Sequence, residues 1–143
     1  MPRTAMDCLL PMGITSDTVV KKFGLKRHEL DEFAAASHRK AAAAQGRGKF
    51  DSEIVPVQVK DRLVTRDEGI RPQTTTAGLS KLRPAFTPMG ATTAGNSSQT
   101  TDGAAAVLLT TRRRARELNL PIRAIWQGYT CKGIEEPSIM GIG

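Results

Sequence analysis

Apolar positions recur at helical spacing in the first third of the chain and give way to short alternating or continuous runs further on. Ser16 stands where it can cap a short helix whose apolar positions Val19, Val20 and Phe23 stop at Gly24, a typical C-terminal break. From about Arg27 to Gln45, Leu30, Phe33, Ala34, Ser37, Ala41 and Ala44 repeat every three or four residues. Glu29, Asp31, Glu32, Arg39 and Lys40 fall on the other side, so the spacing predicts a long amphipathic helix with its charges in solvent, ended by Gly46 and Gly48. The segment Glu53-Ile-Val-Pro-Val-Gln-Val59 alternates and is β-branched. Pro56 cannot donate to a ladder, however, so this is an edge strand or an irregular extended segment.

Residues 61–100 are rich in Thr, Gly and Pro and read as loop with one short helix from Thr76 to Leu82; nothing in them resembles a core. Asp102-Gly103 then opens the continuously apolar run Ala104 to Leu109, the pattern of a buried central strand. Arg112 to Asn119 reads as a short helix and Ile122 to Tyr129 as a second strand. This β-α-β order predicts an α/β fold whose sheet needs further strands, and the chain reads as cut from something longer.

A length of 143 residues suits about one domain, and a 39% hydrophobic content allows an ordinary core. The 21 Lys and Arg against 14 Asp and Glu leave a net charge of +7, which suits a polyanionic partner such as nucleic acid or a phosphorylated small molecule. The charge is spread out: +5 over residues 1–99 (15 basic, 10 acidic) and +2 over residues 100–143 (6 basic, 4 acidic). Arg112, Arg113, Arg114 and Arg116 form the local cluster, with no aromatic residue interleaved to stack on bases, so a solvated helical face is favoured over a nucleic acid footprint.

Cys8 and Cys131 lie far apart, without a C-x-x-C pair or a His-rich partner segment; neither a disulfide framework nor a metal site is indicated, and two thiols suit a reducing compartment. No window reaches the length of a membrane span and no secretory leader is evident, so a soluble chain is expected. His28 and His38 are ten residues apart on the long helix and cannot face each other; both read as surface or packing residues.

A series of motifs carries a family likeness. In order they are Pro11-Met-Gly-Ile-Thr15, Glu53-Ile-Val-Pro-Val57, Asp67-Glu-Gly-Ile-Arg71, Lys81-Leu-Arg-Pro-Ala-Phe86, Thr92-Thr-Ala-Gly-Asn-Ser-Ser-Gln99, Asp102-Gly-Ala-Ala-Ala106 and Met140-Gly-Ile-Gly143. The chain resembles the thiolases, nearest to the peroxisomal 3-ketoacyl-CoA thiolases, over residues 5–143 and over the middle of the family's length. The resemblance implies an acyltransferase fold of two similar α/β halves plus a loop domain over the coenzyme A site. Residues 1–99 are then similar to the second part of the loop domain, and residues 100–143 to the first β-α-β of the C-terminal half.

Thiolysis needs a thiolate nucleophile, a base that activates it, a second acid/base and oxyanion donors. In the family these sit in C-S-S, G-H-P, C-x-G and N-E-A-F motifs, none of which occurs in its place here, so no catalytic residue is assigned and the chain alone is expected to be inactive. Cys131-Lys132-Gly133 spells C-x-G but falls on the expected second strand, ahead of the family's motif; Cys8 reads as a small buried side chain.

The resemblance implies coenzyme A or acyl-CoA as substrate, with no permanently bound cofactor, in fatty acid β-oxidation. By matching motif position, Arg71 would stand near the nucleotide end, Phe86 would line the adenine or pantetheine, Ala94 and Ser98 would contact the pantetheine, and Met12 would line the acyl or pantetheine tunnel. Each has a plainer alternative. Arg71 can pair with Asp67 or Glu68, Phe86 and Met12 can be core, and the Ser98 hydroxyl can bond its own turn. Gly78 departs from the pattern, since some bacterial members place there a Ser that meets the substrate. The resemblance further implies homo-oligomeric thiolase subunits as partners and a peroxisomal location. With the family's targeting segment outside these residues, a cytoplasmic location stays open. The alternative function is a non-catalytic module that binds acyl-CoA or associates with thiolase subunits.

Overall fold

The computed structural model describes residue 6 and residues 9–142, which divide into two compact units, the first running to Gln99 and taking in the stretch from Glu136, the second spanning Thr100–Glu135.

The first unit is built on two helices. Helix α1 spans Met12–Phe23 and begins directly after Pro11, whose carbonyl accepts from the Ile14 and Thr15 amides at 2.9 and 3.2 Å. The ring of Pro11 holds φ at −60°, ready for a helix start, so the helix begins four residues ahead of the expected Ser16 cap. Ser16 instead shares a hydrogen bond with the Thr92 hydroxyl at 2.8 Å. The predicted stop holds: Gly24 takes φ 67° and its N–H donates to the Val20 carbonyl, while Lys21 and Lys22 lie in the last turn, where the helix dipole favours cations.

Helix α2, Arg27–Gly46, has the predicted extent within a residue, and Glu29 closes its start by accepting from the Lys26 amide at 2.6 Å. Its buried face differs from the expected one. Asp31 is 0% exposed and Ala35 6%, while Phe33 is 78% exposed. The helix packs on the polar loops that follow, and those select the face bearing Arg27, Asp31, Ala35 and His38 over the more apolar one. Phe33, Ala36, Ser37, Lys40, Ala41, Ala44 and Phe50 are left lining an outer groove of about 460 Å³.

Strands β1 (Val57–Val59) and β2 (Arg62–Val64) form an antiparallel hairpin with Gln58 opposite Leu63, turning at Lys60 with φ 52°. Pro56 precedes the ladder, which resolves the extended segment as a short strand; β2 falls where only loop was expected. Helix α3 is a single turn, Thr76–Leu79, capped by the Thr75 hydroxyl, which accepts from the Gly78 amide at 3.1 Å. It packs on α2 and buries Leu79. Leu79, Thr92 and Thr93 are among the most buried side chains, so the stretch 61–100 contributes to the core after all. A 3-10 helix, Pro137–Ile142, packs on α1, and Lys22 and Glu136 are ion-paired.

In the second unit, helix α4 (Arg112–Glu117) starts at its Thr111 cap and buries Ala115. The strands expected on either side do not form. Val107, Leu108 and Leu109 are 76–80% exposed, and Ile125, Trp126 and Tyr129 are exposed as well. A continuously apolar run becomes a buried strand only when neighbours supply hydrogen bonds and cover both faces, and the described residues supply none to either segment. Among the described residues no helix is long and apolar enough to cross a membrane.

Candidate functional site

The loop Phe86–Ser98 is short of apolar side chains and rich in Thr, Asn, Ser and Gly, so hydrogen bonds must hold its shape. Two helical aspartates supply them. From α1, Asp17 accepts from the Thr87 hydroxyl at 2.7 Å through Oδ2, and through Oδ1 from the Ala91 and Thr92 amides at 3.1 and 3.0 Å. Burial pushes the Asp17 carboxyl up, but bonds from the Thr87 and Thr92 side chains and the Thr92 and Ala91 amides together outweigh it and hold it below the ordinary value. Gly90 is required beside it, since a Cβ there would collide with the Asp17 carboxylate and the Thr87 hydroxyl.

From α2, Asp31 accepts from Arg27 Nε at 2.8 Å and from Asn96 Nδ2 at 3.1 Å. Arg27 Nη2 also donates to the Leu79 and Leu82 carbonyls, at 2.7 and 3.1 Å, tying α3 to α2. Asn96 closes the turn around it: its Oδ1 accepts from the Thr93 amide at 2.7 Å and its Nδ2 donates to the Ala91 carbonyl at 3.0 Å. Ser97 donates to the Thr93 carbonyl at 2.6 Å, and Thr93 bridges antiparallel to Pro84.

The expected site residues lie along the rim of this framework. Met12 is the first residue of α1 and is 54% exposed. Phe86, 45% exposed, sets its ring against the backbone of Gly13, where any side chain would overlap it. The α1 start and the 84–86 segment thus meet, and neither Met12 nor Phe86 is consumed by the core. Ala94 and Ser98 are exposed on the Asp31-anchored turn. The turn-closing hydroxyl is that of Ser97, which leaves the plainer alternative for Ser98 to its neighbour.

Arg71 is exposed, and Glu68, one of its expected ion-pair partners, is engaged by Arg62. Its loop is anchored through the backbone: the Arg71 amide donates to His38 Nδ1 at 3.1 Å, and Gln45 Nε2 donates to the Asp67 carbonyl at 3.1 Å. Gly69 in this loop lies against the Gln99 side chain, which brings the segment of Arg71 beside that of Ser98. Gly78 is exposed at its turn of helix, with no side chain to offer a ligand.

Cys131 is exposed in the second unit. Cys8 lies outside the described residues, and among those residues no cluster of His, Cys, Asp and Glu could hold a metal.

Sequence reasoning missed Asp17, Asp31, Asn96 and His38. The available signal was the density of hydroxyl and amide side chains from Thr87 to Ser97, which demands buried acceptors from a neighbouring helix.

Three comparisons bear on this arrangement. Residues 3–113 match the family described as Thiolase, N-terminal domain. The chain is 53% identical over 148 residues to the peroxisomal 3-ketoacyl-CoA thiolase of Homo sapiens, covering 97% of this chain and 35% of that protein. It is 49% identical over 149 residues to peroxisomal 3-ketoacyl-CoA thiolase 2 of Arabidopsis thaliana, covering 97% of this chain and 32% of that protein. Among solved structures, the dimeric peroxisomal thiolase of Saccharomyces cerevisiae superposes with a TM-score of 0.79 at 48% identity, over 85% of this chain and 31% of that one. Human mitochondrial 3-ketoacyl-CoA thiolase in complex with CoA gives 0.75 at 38% identity, over 78% of this chain and 28% of that one. The chain therefore spans about a third of the length of the curated relatives it matches, and it has the fold of the corresponding part of those structures.

Proposed function

This chain belongs to the thiolase family, and from that premise we propose that its first 99 residues are the part of the loop domain that covers coenzyme A in a 3-ketoacyl-CoA thiolase. The reaction served is acyl transfer between a 3-ketoacyl-CoA and coenzyme A in fatty acid β-oxidation, in the peroxisome. The reading is carried by one observation: Met12, Arg71, Phe86, Ala94 and Ser98 all keep exposed side chains, while residues beside them in sequence are spent on holding the loops. A cation, an aromatic ring and a hydroxyl held at a surface by buried anchors are what a ligand with phosphates, an adenine and an amide-bearing arm requires. Residues 100–143 are read as the start of the C-terminal half; the break between compact units after Gln99 supports where that part begins, while residues 136–143 group with the first unit.

The 143-residue chain binds coenzyme A without turning over a thioester, because the motifs for the nucleophile, the base and the second acid/base are not among its residues in their places. The test is a thiolysis assay on acetoacetyl-CoA beside calorimetry with coenzyme A. Binding without turnover supports the proposal, and turnover that survives removal of Cys8 and Cys131 refutes it. The exposed apolar runs around Leu108 and Trp126 favour a second reading, that the chain associates with longer thiolase subunits; co-purification with one would establish it.

A further inference from the structure

Asp31 is the most completely buried ionisable group among the described residues, and its hydrogen bonds go to Arg27 and Asn96, not to the residues proposed to meet coenzyme A. We infer that Asp31, acting through Asn96, is the positioning residue that sets the turn presenting Ala94 and Ser98 to the pantetheine arm; this rests on the coenzyme A reading above.

Hydrogen-bond polarity fixes the orientation of Asn96. An Asn side chain can sit in either of two orientations related by a flip of its amide. A carboxylate paired with Arg27 accepts and does not donate, so Asp31 admits only the NH2 end of Asn96, and Nδ2 lies 3.1 Å from Oδ1. With that end fixed, Oδ1 points the other way and takes the Thr93 amide at 2.7 Å. The Ala91 carbonyl, accepting from the same Nδ2 at 3.0 Å, reinforces the choice. Thr93 is fully buried, and its hydroxyl in turn accepts from the Gly95 amide at 3.2 Å. Thr93, Asn96 and Ser97 are thereby locked, and Ala94 and Ser98 are the neighbouring positions left facing outward. Gly95 packs its backbone on the Leu79 and Leu82 side chains, which a Cβ would have to displace. Arg27 holds Asp31 from one side and the Leu79 and Leu82 carbonyls from the other, which fixes the carboxylate and the floor beneath the turn with one guanidinium.

The test uses the whole 143-residue protein, read by amide hydrogen exchange without ligand and by calorimetry with coenzyme A. Asp31→Asn keeps the size of the side chain and lets it present a donor to Asn96. Exchange at Thr93 and Gly95 should quicken about tenfold and coenzyme A should bind about tenfold more weakly, the scale of one buried hydrogen bond. Measured against Asn96→Asp alone, Asp31→Asn with Asn96→Asp restores one donor facing one acceptor and should recover part of both losses, the bond to the Ala91 carbonyl being absent from both variants. A merely structural loss of the Arg27 pair would not respond to a change at residue 96. If Asp31→Asn does not fold, Asn96→Asp breaks the same link by setting two carboxylates against each other while keeping an oxygen for the Thr93 amide, and should show both losses. Unchanged exchange at Thr93 in whichever variant folds overturns the inference, as does unchanged affinity beside quickened exchange. If exchange quickens while the parent protein shows no binding of coenzyme A, the turn is anchored as described, its presentation role is refuted, and the coenzyme A reading fails with it.

Discussion

The ring of Phe86 occupies the space that a side chain at Gly13 would need. This contact joins the start of α1 to the loop of Phe86 and makes the glycine a steric requirement of the site, since Gly13 is buried under a ring that itself stays half exposed. Gly13→Ala should therefore force the ring off its seat and lower stability by about 1–3 kcal/mol, the usual cost of overpacking. Thermal melts check this, and adding Phe86→Ala should recover most of the loss. An unchanged melting temperature in Gly13→Ala would mean that the ring moves aside freely.

Asp17 predicts an acid-dependent stability. Folding lowers its pKa below the ordinary 3.8, so the unfolded chain takes up the proton first as pH falls. The stabilisation is complete well above that value and is lost as pH drops through the folded pKa. Asp17→Asn should cost about 2 kcal/mol near pH 7, as expected for hydrogen bonds to a charged group, and progressively less below about pH 4. Parallel melts of the two proteins across pH should converge on the acid side; a gap constant with pH would contradict the role given to the charge.

Arg71 is assigned to the nucleotide end of the ligand. Arg71→Ala should weaken coenzyme A binding about tenfold at low salt, with the difference shrinking as salt rises, and should leave pantetheine binding unchanged. Equal loss for both ligands in calorimetry would move Arg71 away from the phosphates.

Local signals were legible where one residue decides the outcome. Gly24 stopped α1 and the spacing from Arg27 onward fixed the length of α2, because a left-handed stop and a helical period are properties of the chain itself. The face of α2 was not legible: burial of Asp31 over Phe33 depends on Arg27 and Asn96, the latter 65 residues away, and no local pattern carries that. The strand expected at Ala104–Leu109 failed for the opposite reason. Its composition is right, but a ladder is a property of two segments. Of the site, the motif order pointed to the residues on the rim and missed the aspartates that hold them, which sit in helices as ordinary charged positions.

The exposed run at Val107, Leu108 and Leu109 is an aggregation hazard. Val107→Lys with Leu109→Lys should lower light scattering of the concentrated protein several-fold and leave the melting of the residue 1–99 unit unchanged. Unaltered scattering would show that the self-association surface lies elsewhere, the outer groove between Phe33 and Phe50 being the next to test.

The proposed coenzyme A surface is tested most directly by mapping backbone amide shifts of the 143-residue protein during titration with coenzyme A. The account predicts saturable shifts that share one binding constant and centre on Met12, Arg71, Phe86, Ala94 and Ser98, with Thr93 and Asn96 following. Shifts that never appear at millimolar ligand, or that gather along the Phe33 face of α2, would contradict it.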